Sequence, residues 1–260
     1  MRSRASSGSS PKSNVSRKKV VSGISIDHAS YMTHLNASSA EYRIPNVWTV
    51  IVAAGGSSRF GADKQKVKIG QKTILECAVS TAGDVGPVVV VGKAEFVAEI
   101  EKTFSSNRSV EAVVAGGSTR TASVSAGLLA VPNTAEIILI HDGARPLATQ
   151  VLFNRVIDAV NGGADAVVPG IEVSDSLRSV RGHEVNRSEV VAVQTPQGFK
   201  ASTLRNAYLN QDEFTDDASK VEATGVKVEI IEGESNNLKI THPVDLLVAR
   251  QIYKEAEEND

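Results

Sequence analysis

From Trp48 onward, short apolar runs alternate with segments of helical spacing. Val47–Ala53 (VWTVIVA) is an apolar run closed by Gly55-Gly56, the pattern of a buried strand ending in a tight turn. Pro87–Val91, Val110–Ala115, Glu136–His141 and Ala164–Pro169 read as further strands. Between them Ile74–Ala82, Ala94–Phe104, Thr119–Ala130 and Gln150–Val160 carry helical spacing. Strands buried on both faces and separated by helices of this length predict an α/β fold: a mostly parallel sheet covered by helices on both sides. The alternation breaks at Ile171–Arg187, where apolar and polar residues alternate around Arg181-Gly182, and a projecting hairpin is predicted there. Val190–Val193 returns to the sheet, and helices over Ala201–Leu209 and Asp216–Thr224, a strand over Val226–Ile231 and a helix over Pro243–Ala256 complete the chain.

In such sheets ligands sit beyond the carboxyl ends of the strands. Four predicted strand ends carry small or polar clusters: Ala53-Ala54-Gly55-Gly56-Ser57-Ser58-Arg59, Gly116-Gly117-Ser118-Thr119-Arg120, His141-Asp142-Gly143-Ala144-Arg145-Pro146 and Gln194-Thr195-Pro196-Gln197. Four at one edge point to a site. In the first, small residues let main-chain N–H groups approach an anion, and Arg59 and Lys64 add positive charge. The cluster ends in neither Gly-Lys-Ser/Thr nor a G-x-G-x-x-G pattern, which excludes the common ATPase and dinucleotide readings. Thr119, Arg120 and Ser123 also fit the opening of a helix, Asp216-Asp217 reads as a helix-capping pair, and His141 as a structural histidine.

Taken together, AAGGSSR with Lys64-Gln65, GGSTRTASVSAGL, HDGARP, Asp175-Ser176, QTPQGF, FTDDASKVE and NLKIT resemble the 2-C-methyl-D-erythritol 4-phosphate cytidylyltransferases of the non-mevalonate isoprenoid pathway, over about residues 47–255. The resemblance implies a Rossmann-like nucleotidyltransferase fold. It implies that CTP and a sugar-alcohol phosphate are the substrates, and that Arg59 and Lys64 hold the triphosphate. Ala53, Ala54 and Gly55 would offer main-chain groups to the nucleotide, and Gly116, Gly117 and Ser123 would read the cytosine. Asp142 and Arg145 would lie near the metal and the acceptor. Ser176, Thr195 and Thr215 would contact the acceptor, Lys239 both substrates. Arg187, on the hairpin, would act in the site of a second copy, making the protein a homodimer. Because a phosphate monoester is already anionic, the reaction needs positioning and cationic stabilisation rather than a general base. Mg²⁺ or another divalent cation would be held mostly by substrate phosphates, with Asp142 nearby.

The chain departs from the family's pattern where Arg59 and Lys64 stand two residues closer than usual and Asp63 replaces a proline. Counting back from Gly70 keeps Lys64, rather than Lys66 or Lys68, in register. Ser176 stands where threonine is common, and Gly143 where alanine or serine is common. The rival readings are a ribitol 5-phosphate cytidylyltransferase, which shares the nucleotide loops, and a non-catalytic nucleotide-binding homologue.

Composition closes off other classes. A net charge of −2 gives no basic surface for nucleic acid, Cys77 as the one cysteine excludes a disulfide framework, and no apolar run reaches the ~20 residues of a membrane helix. Residues 1–45 differ from the rest: seven Lys/Arg and twelve serines against two acids predict a disordered basic extension ahead of a cytidylyltransferase domain over 46–260, with its arm at about 171–187. The expected location is the bacterial cytoplasm, or a plastid should residues 1–45 be a transit peptide.

Overall fold

The computed structural model describes residues 45–55, 66–210 and 212–259. The expected triphosphate-binding pair, Arg59 and Lys64, lies outside the described residues, as does the chain before Pro45. The main sheet is built from β1 (Val47–Val52), β4 (Val88–Gly92), β5 (Val110–Ala115), β6 (Ile137–Asp142), β7 (Ala166–Glu172), β10 (Val191–Val193), β11 (Gln197–Lys200) and β12 (Val228–Glu232). β6, β1, β4 and β5 are parallel neighbours in that order, and β12 runs parallel to β7 at its far edge. β11 is antiparallel to both β6 and β7, which makes those two parallel to each other. The expected mostly parallel sheet is therefore present.

Period-two alternation decides which side chain meets which helix layer. Val47, Ile51, Val88, Val90, Ile137 and Leu139 enter one core cluster. There they pack against α1 (Ile74–Gly83), α2 (Val97–Phe104) and α4 (Gln150–Asn161) through Val79, Phe104 and Phe153. Their neighbours Val50, Val89, Val91, Ile138 and Ile140 enter a second cluster. That cluster is covered by α3 (Arg120–Ala130), α5 (Ala201–Ala207) and α6 (Asp217–Glu222) through Val124, Leu204 and Val221. Each fully buried aliphatic contributes roughly 1.5–3 kcal/mol over its exposed state. α3 approaches the sheet closely because residue 127 is glycine: a Cβ there would lie 2.5 Å from Val50 Cγ1.

Four strands differ from the sequence reading. β7 continues past Pro169 to Glu172, through an apolar start of what the pattern assigned to the hairpin. β11 is an added strand. Together β10 and β11 form one antiparallel strand along β7, with Val193 opposite Gly170 and Gly198 opposite Val167, interrupted at Gln194-Thr195-Pro196, where the Thr195–Pro196 bond is cis. A small pair, β2 (Lys68–Ile69) with β3 (Lys72–Thr73), turns through Gly70 at φ 58° before Thr73 caps α1. The arm is a short hairpin of β8 (Leu177–Arg178) and β9 (Glu184–Val185), with Gly182 at φ 90° in its turn. The final helix, α7 (Pro243–Asn259), buries Leu246 and Ala249 against Ile69, Ile74 and Ile240. Among the described residues no helix is long and apolar enough to cross a membrane.

Candidate active site

The carboxyl ends of β1, β5 and β6 bring three of the predicted clusters to one edge. Gly116 shows why the second is glycine-rich: a Cβ there would lie 2.6 Å from that of Ala54 and 2.8 Å from Ser123 Oγ. The β1 and β5 loops can close on each other only without that side chain. Thr119 caps α3 by accepting the Ala122 N–H. Ser123, buried in the first turns, donates its hydroxyl proton to the Thr119 carbonyl at 2.8 Å.

At the end of β6, Asp142 gathers three cations among the described residues. Lys239 Nζ lies 2.7 Å from Oδ2, Arg145 Nε 3.8 Å from the same oxygen, and Arg120 Nη2 3.8 Å from Oδ1. Burial alone would raise the pKa of this carboxyl. Lys239, then Arg120 and Arg145, overcome burial and hold it far below the usual carboxylate range. Asp142 is thus a fixed negative charge that organises positive ones. Lys239 reaches it because the next residue, Ile240, is fully buried and donates its N–H to the Ala144 carbonyl, 2.9 Å away.

Beneath the carboxylate lies a relay of hydrogen-bonded polar groups. His141 Nε2 is 3.2 Å from the Arg145 carbonyl, which can only accept, so Nε2 carries the proton. Nδ1 then accepts from the Thr195 hydroxyl at 3.1 Å, and that hydroxyl accepts the Asp142 N–H at 3.0 Å. The break between β10 and β11 is what places Thr195 there. Its proton is given to His141 and one lone pair takes the Asp142 N–H, so Thr195 orients Asp142 and keeps a second lone pair. Arg145 is likewise a scaffold in its terminal nitrogens: Nη1 donates to the Asn237 carbonyl at 2.7 Å and Nη2 to that of Val193 at 3.3 Å. Asn237 in turn donates to the Thr195 carbonyl, tying the NNLK segment to the same loop.

Burial lowers the pKa of His141 to about 4, from an unfolded value near 6.5. Between those values the unfolded chain binds a proton that the folded one refuses, so stability falls as pH drops through this window and is unaffected above it. The full effect is roughly 3 kcal/mol. Urea denaturation of wild type and His141→Gln from neutral pH down to about 4 checks it. The wild type is expected to lose about that much more stability than the variant, and parallel pH profiles would contradict a neutral buried histidine.

The structure also adds residues that the sequence reading set aside. Arg120 opens α3, but its Nη2 lies 2.6 Å from Asp217 Oδ2 as well as near Asp142. Of the pair read as a helix cap, only Asp216 caps, accepting the Ser219 N–H at 2.8 Å. Asp217 is fully buried and receives the Tyr208 hydroxyl at 2.6 Å. The signal available was an arginine at a glycine-rich strand end; its partner comes from a distant segment and could not be read from spacing.

The remaining expected acceptor contacts are exposed. Thr215 precedes the α6 cap, and Ser176 and Arg187 lie on the arm. Arg187 Nη1 donates to the Ser174 carbonyl at 2.6 Å, within the arm, and among the described residues it makes no contact with the group around Asp142. Lys66, close in sequence to Lys64, pairs with Glu99 and stands over the Phe96 ring at 4.2 Å. Both partners line a cavity of about 250 Å³ that Ala53 also borders.

An α/β sheet whose carboxyl edge combines close-packed glycine loops with a carboxylate ringed by cations is the frame of a nucleotide-handling transferase. Residues 47–255 match the family model IspD, 2-C-methyl-D-erythritol 4-phosphate cytidylyltransferase. The chain is 43% identical to the 2-C-methyl-D-erythritol 4-phosphate cytidylyltransferase of Rhodococcus opacus, over 83% of this chain and 98% of that one. It is 38% identical to a bifunctional IspD/IspF enzyme of Solidesulfovibrio magneticus over 77% of its own length, but spans only 56% of that relative. Its fold is similar to the crystal structure of 2-C-methyl-D-erythritol 4-phosphate cytidylyltransferase from Thermus thermophilus, with a TM-score of 0.66, 33% identity, and 79% of this chain and 98% of that one covered. The chain belongs to the 2-C-methyl-D-erythritol 4-phosphate cytidylyltransferase family, the nucleotidyltransferases of non-mevalonate isoprenoid synthesis.

Proposed function

We propose that residues 46–260 catalyse the reaction of CTP with 2-C-methyl-D-erythritol 4-phosphate to 4-diphosphocytidyl-2-C-methyl-D-erythritol and pyrophosphate, with residues 1–45 a dispensable extension. The observation that carries the reading is the cationic ring around Asp142, with Lys239 at 2.7 Å. An oxygen of the acceptor phosphate attacks the α-phosphorus of CTP. A new P–O bond forms, the α–β bridging bond breaks, and its electron pair leaves on pyrophosphate. The attacking group is already an anion, so no side chain has to take a proton. Lys239, beside Asp142 and part-exposed, draws the acceptor phosphate against the α-phosphate, and Arg59 and Lys64 stabilise the triphosphate charge.

The nucleotide is read by Ala53, Ala54, Gly55, Gly116 and Gly117 through the main chain and by Ser123 through its hydroxyl. Having donated its proton to the Thr119 carbonyl, Ser123 Oγ offers only lone pairs. Those accept from the exocyclic amine of cytosine and meet the carbonyl of uracil as one acceptor against another. This favours CTP over UTP.

An ionised carboxylate whose side chain is 11% exposed fits a hard divalent cation as one ligand, the substrate phosphates supplying the others; among the described residues no group of three potential ligands forms a protein cage. Asp142 would hold such an ion, which when bound shares the charge of the phosphates. Arg145 and Thr195 keep Asp142 in place and, with Thr215 and Ser176, contact the acceptor.

The arm supports a homodimer reading. A hairpin of two short strands is marginal on its own, and Val180 at its turn is fully exposed. Packed on a second copy, it would carry Arg187 to the partner's acceptor phosphate, a two-fold arrangement. Arg187→Ala is then expected to raise the KM for the acceptor about tenfold or more while leaving that for CTP nearly unchanged. Heterodimers of Arg187→Ala and Lys64→Ala subunits should regain activity, because one of their two sites holds both residues. Verified heterodimers that stay inactive would remove the shared site. The reaction itself is tested by product analysis with CTP and either methylerythritol phosphate or ribitol 5-phosphate; a preference for ribitol phosphate would overturn the acceptor assignment.

A further inference from the structure

Lys220 is fully buried on α6, although lysine is the side chain least suited to a dry interior. Among the described residues its ammonium has three acceptors, all neutral: the Asn210 side-chain oxygen at 2.7 Å, the Asp212 carbonyl at 2.8 Å and the Asn210 carbonyl at 3.3 Å. Two aromatic faces complete the cage, with the Tyr208 and Phe214 ring centroids 5.0 and 5.3 Å from Nζ. Cations over such faces are attracted by the ring quadrupole. Main-chain carbonyls turned inward at Asn210 and Asp212 need a donor once water is excluded, and a residue at the last turn of α6 needs lysine's length to reach both.

The caged segment is the one that leads into the site. Glu213 accepts the hydroxyl of Thr119, the cap of the helix bearing Ser123, at 2.8 Å. Phe214 packs on the ammonium, and Thr215 follows directly, exposed at the edge where Asp217 meets Arg120. We propose that Lys220 is a positioning residue of the transfer reaction: it clamps Asn210 and Asp212 from inside, beside Phe214, so that Thr215 is presented to the acceptor phosphate while Glu213 holds the nucleotide side. The proposal rests on the reading of Thr215 as an acceptor contact.

Lys220→Met keeps most of the side-chain volume and removes the donors. In the free protein it is expected to lose amide hydrogen-exchange protection at Asp212–Thr215, with the strands of the sheet unchanged. In turnover the KM for methylerythritol phosphate should rise about tenfold, the scale of a lost charge-assisted hydrogen bond, with the KM for CTP and kcat within about twofold. Asn210→Asp, which keeps an oxygen at the shortest contact, should behave as wild type, and Asn210→Ala should give an intermediate loss. If Lys220→Met does not fold, Asn210→Ala carries the test by itself. Unchanged exchange at Asp212–Thr215 in the folded variant, or a fall in kcat from a smaller active fraction with both KM values intact, would overturn the clamp. Thr215→Val separates the two readings: altered exchange in Lys220→Met together with a normal acceptor KM in Thr215→Val removes the acceptor contact and leaves the clamp standing.

Discussion

Lys239→Ala should lower turnover by about 10²–10³-fold, the cost of removing one fixed electrostatic stabiliser from a charge-developing site. Among the described residues its ammonium is the closest cation to Asp142, and removing it does two things at once. The phosphates lose an attracting charge, and among the described residues Asp142 keeps Arg120 and Arg145, each at 3.8 Å, so its negative charge faces the incoming anions with less compensation. Lys239→Arg should recover part of the loss, since charge is restored without the compact geometry of the ammonium. The backbone is held by Ile240, so the variant should remain folded. Steady-state kinetics with both substrates check this, and a loss of less than about fivefold would show that Lys239 pairs with Asp142 for structure alone.

The second large effect separates two neighbouring lysines. Lys64→Ala is expected to cost about 10²–10³-fold in turnover, because after the anion loop its charge would meet the phosphates. Lys66→Ala should cost less than about threefold, because that ammonium is engaged by Glu99 and the Phe96 face at the exposed rim of α2. The reverse ranking would show that the contracted Arg59–Lys64 spacing shifts the working lysine two places along the chain.

Much of this was legible in the sequence, for physical reasons that particular residues illustrate. β1, β4 and β6 are buried on both faces, and their near-continuous valine and isoleucine runs announce it. β11 announces nothing, since Gln197-Gly198-Phe199-Lys200 holds one large apolar residue; it becomes a strand because β6 and β7 both lack a partner along that line. The clusters at strand ends could be found because small residues are required where loops approach each other. Lys239 looks like any surface lysine until Ile240 is seen to be buried. Thr195 and Arg145 have the chemistry of substrate contacts and of scaffold alike, and the scaffold part, the bonds to His141, Asp142 and the Asn237 carbonyl, joins segments too far apart in sequence to be read from spacing. The Arg120–Asp217 pair joins α3 to α6, two elements that meet only after the sheet has formed, so no local pattern could reveal it.

The central claim is that this site joins an intact phosphate monoester to the α-phosphorus of CTP in one step, with no proton removed by the protein. The most direct measurement is a ³¹P NMR time course of the enzyme with CTP, a divalent cation and methylerythritol phosphate. Paired diphosphate-diester resonances should grow together with an equal amount of pyrophosphate, as the acceptor's monoester signal falls, and no pyrophosphate should form before the acceptor is added. Release of CMP with the acceptor unchanged, or pyrophosphate formed from CTP alone, would contradict the account.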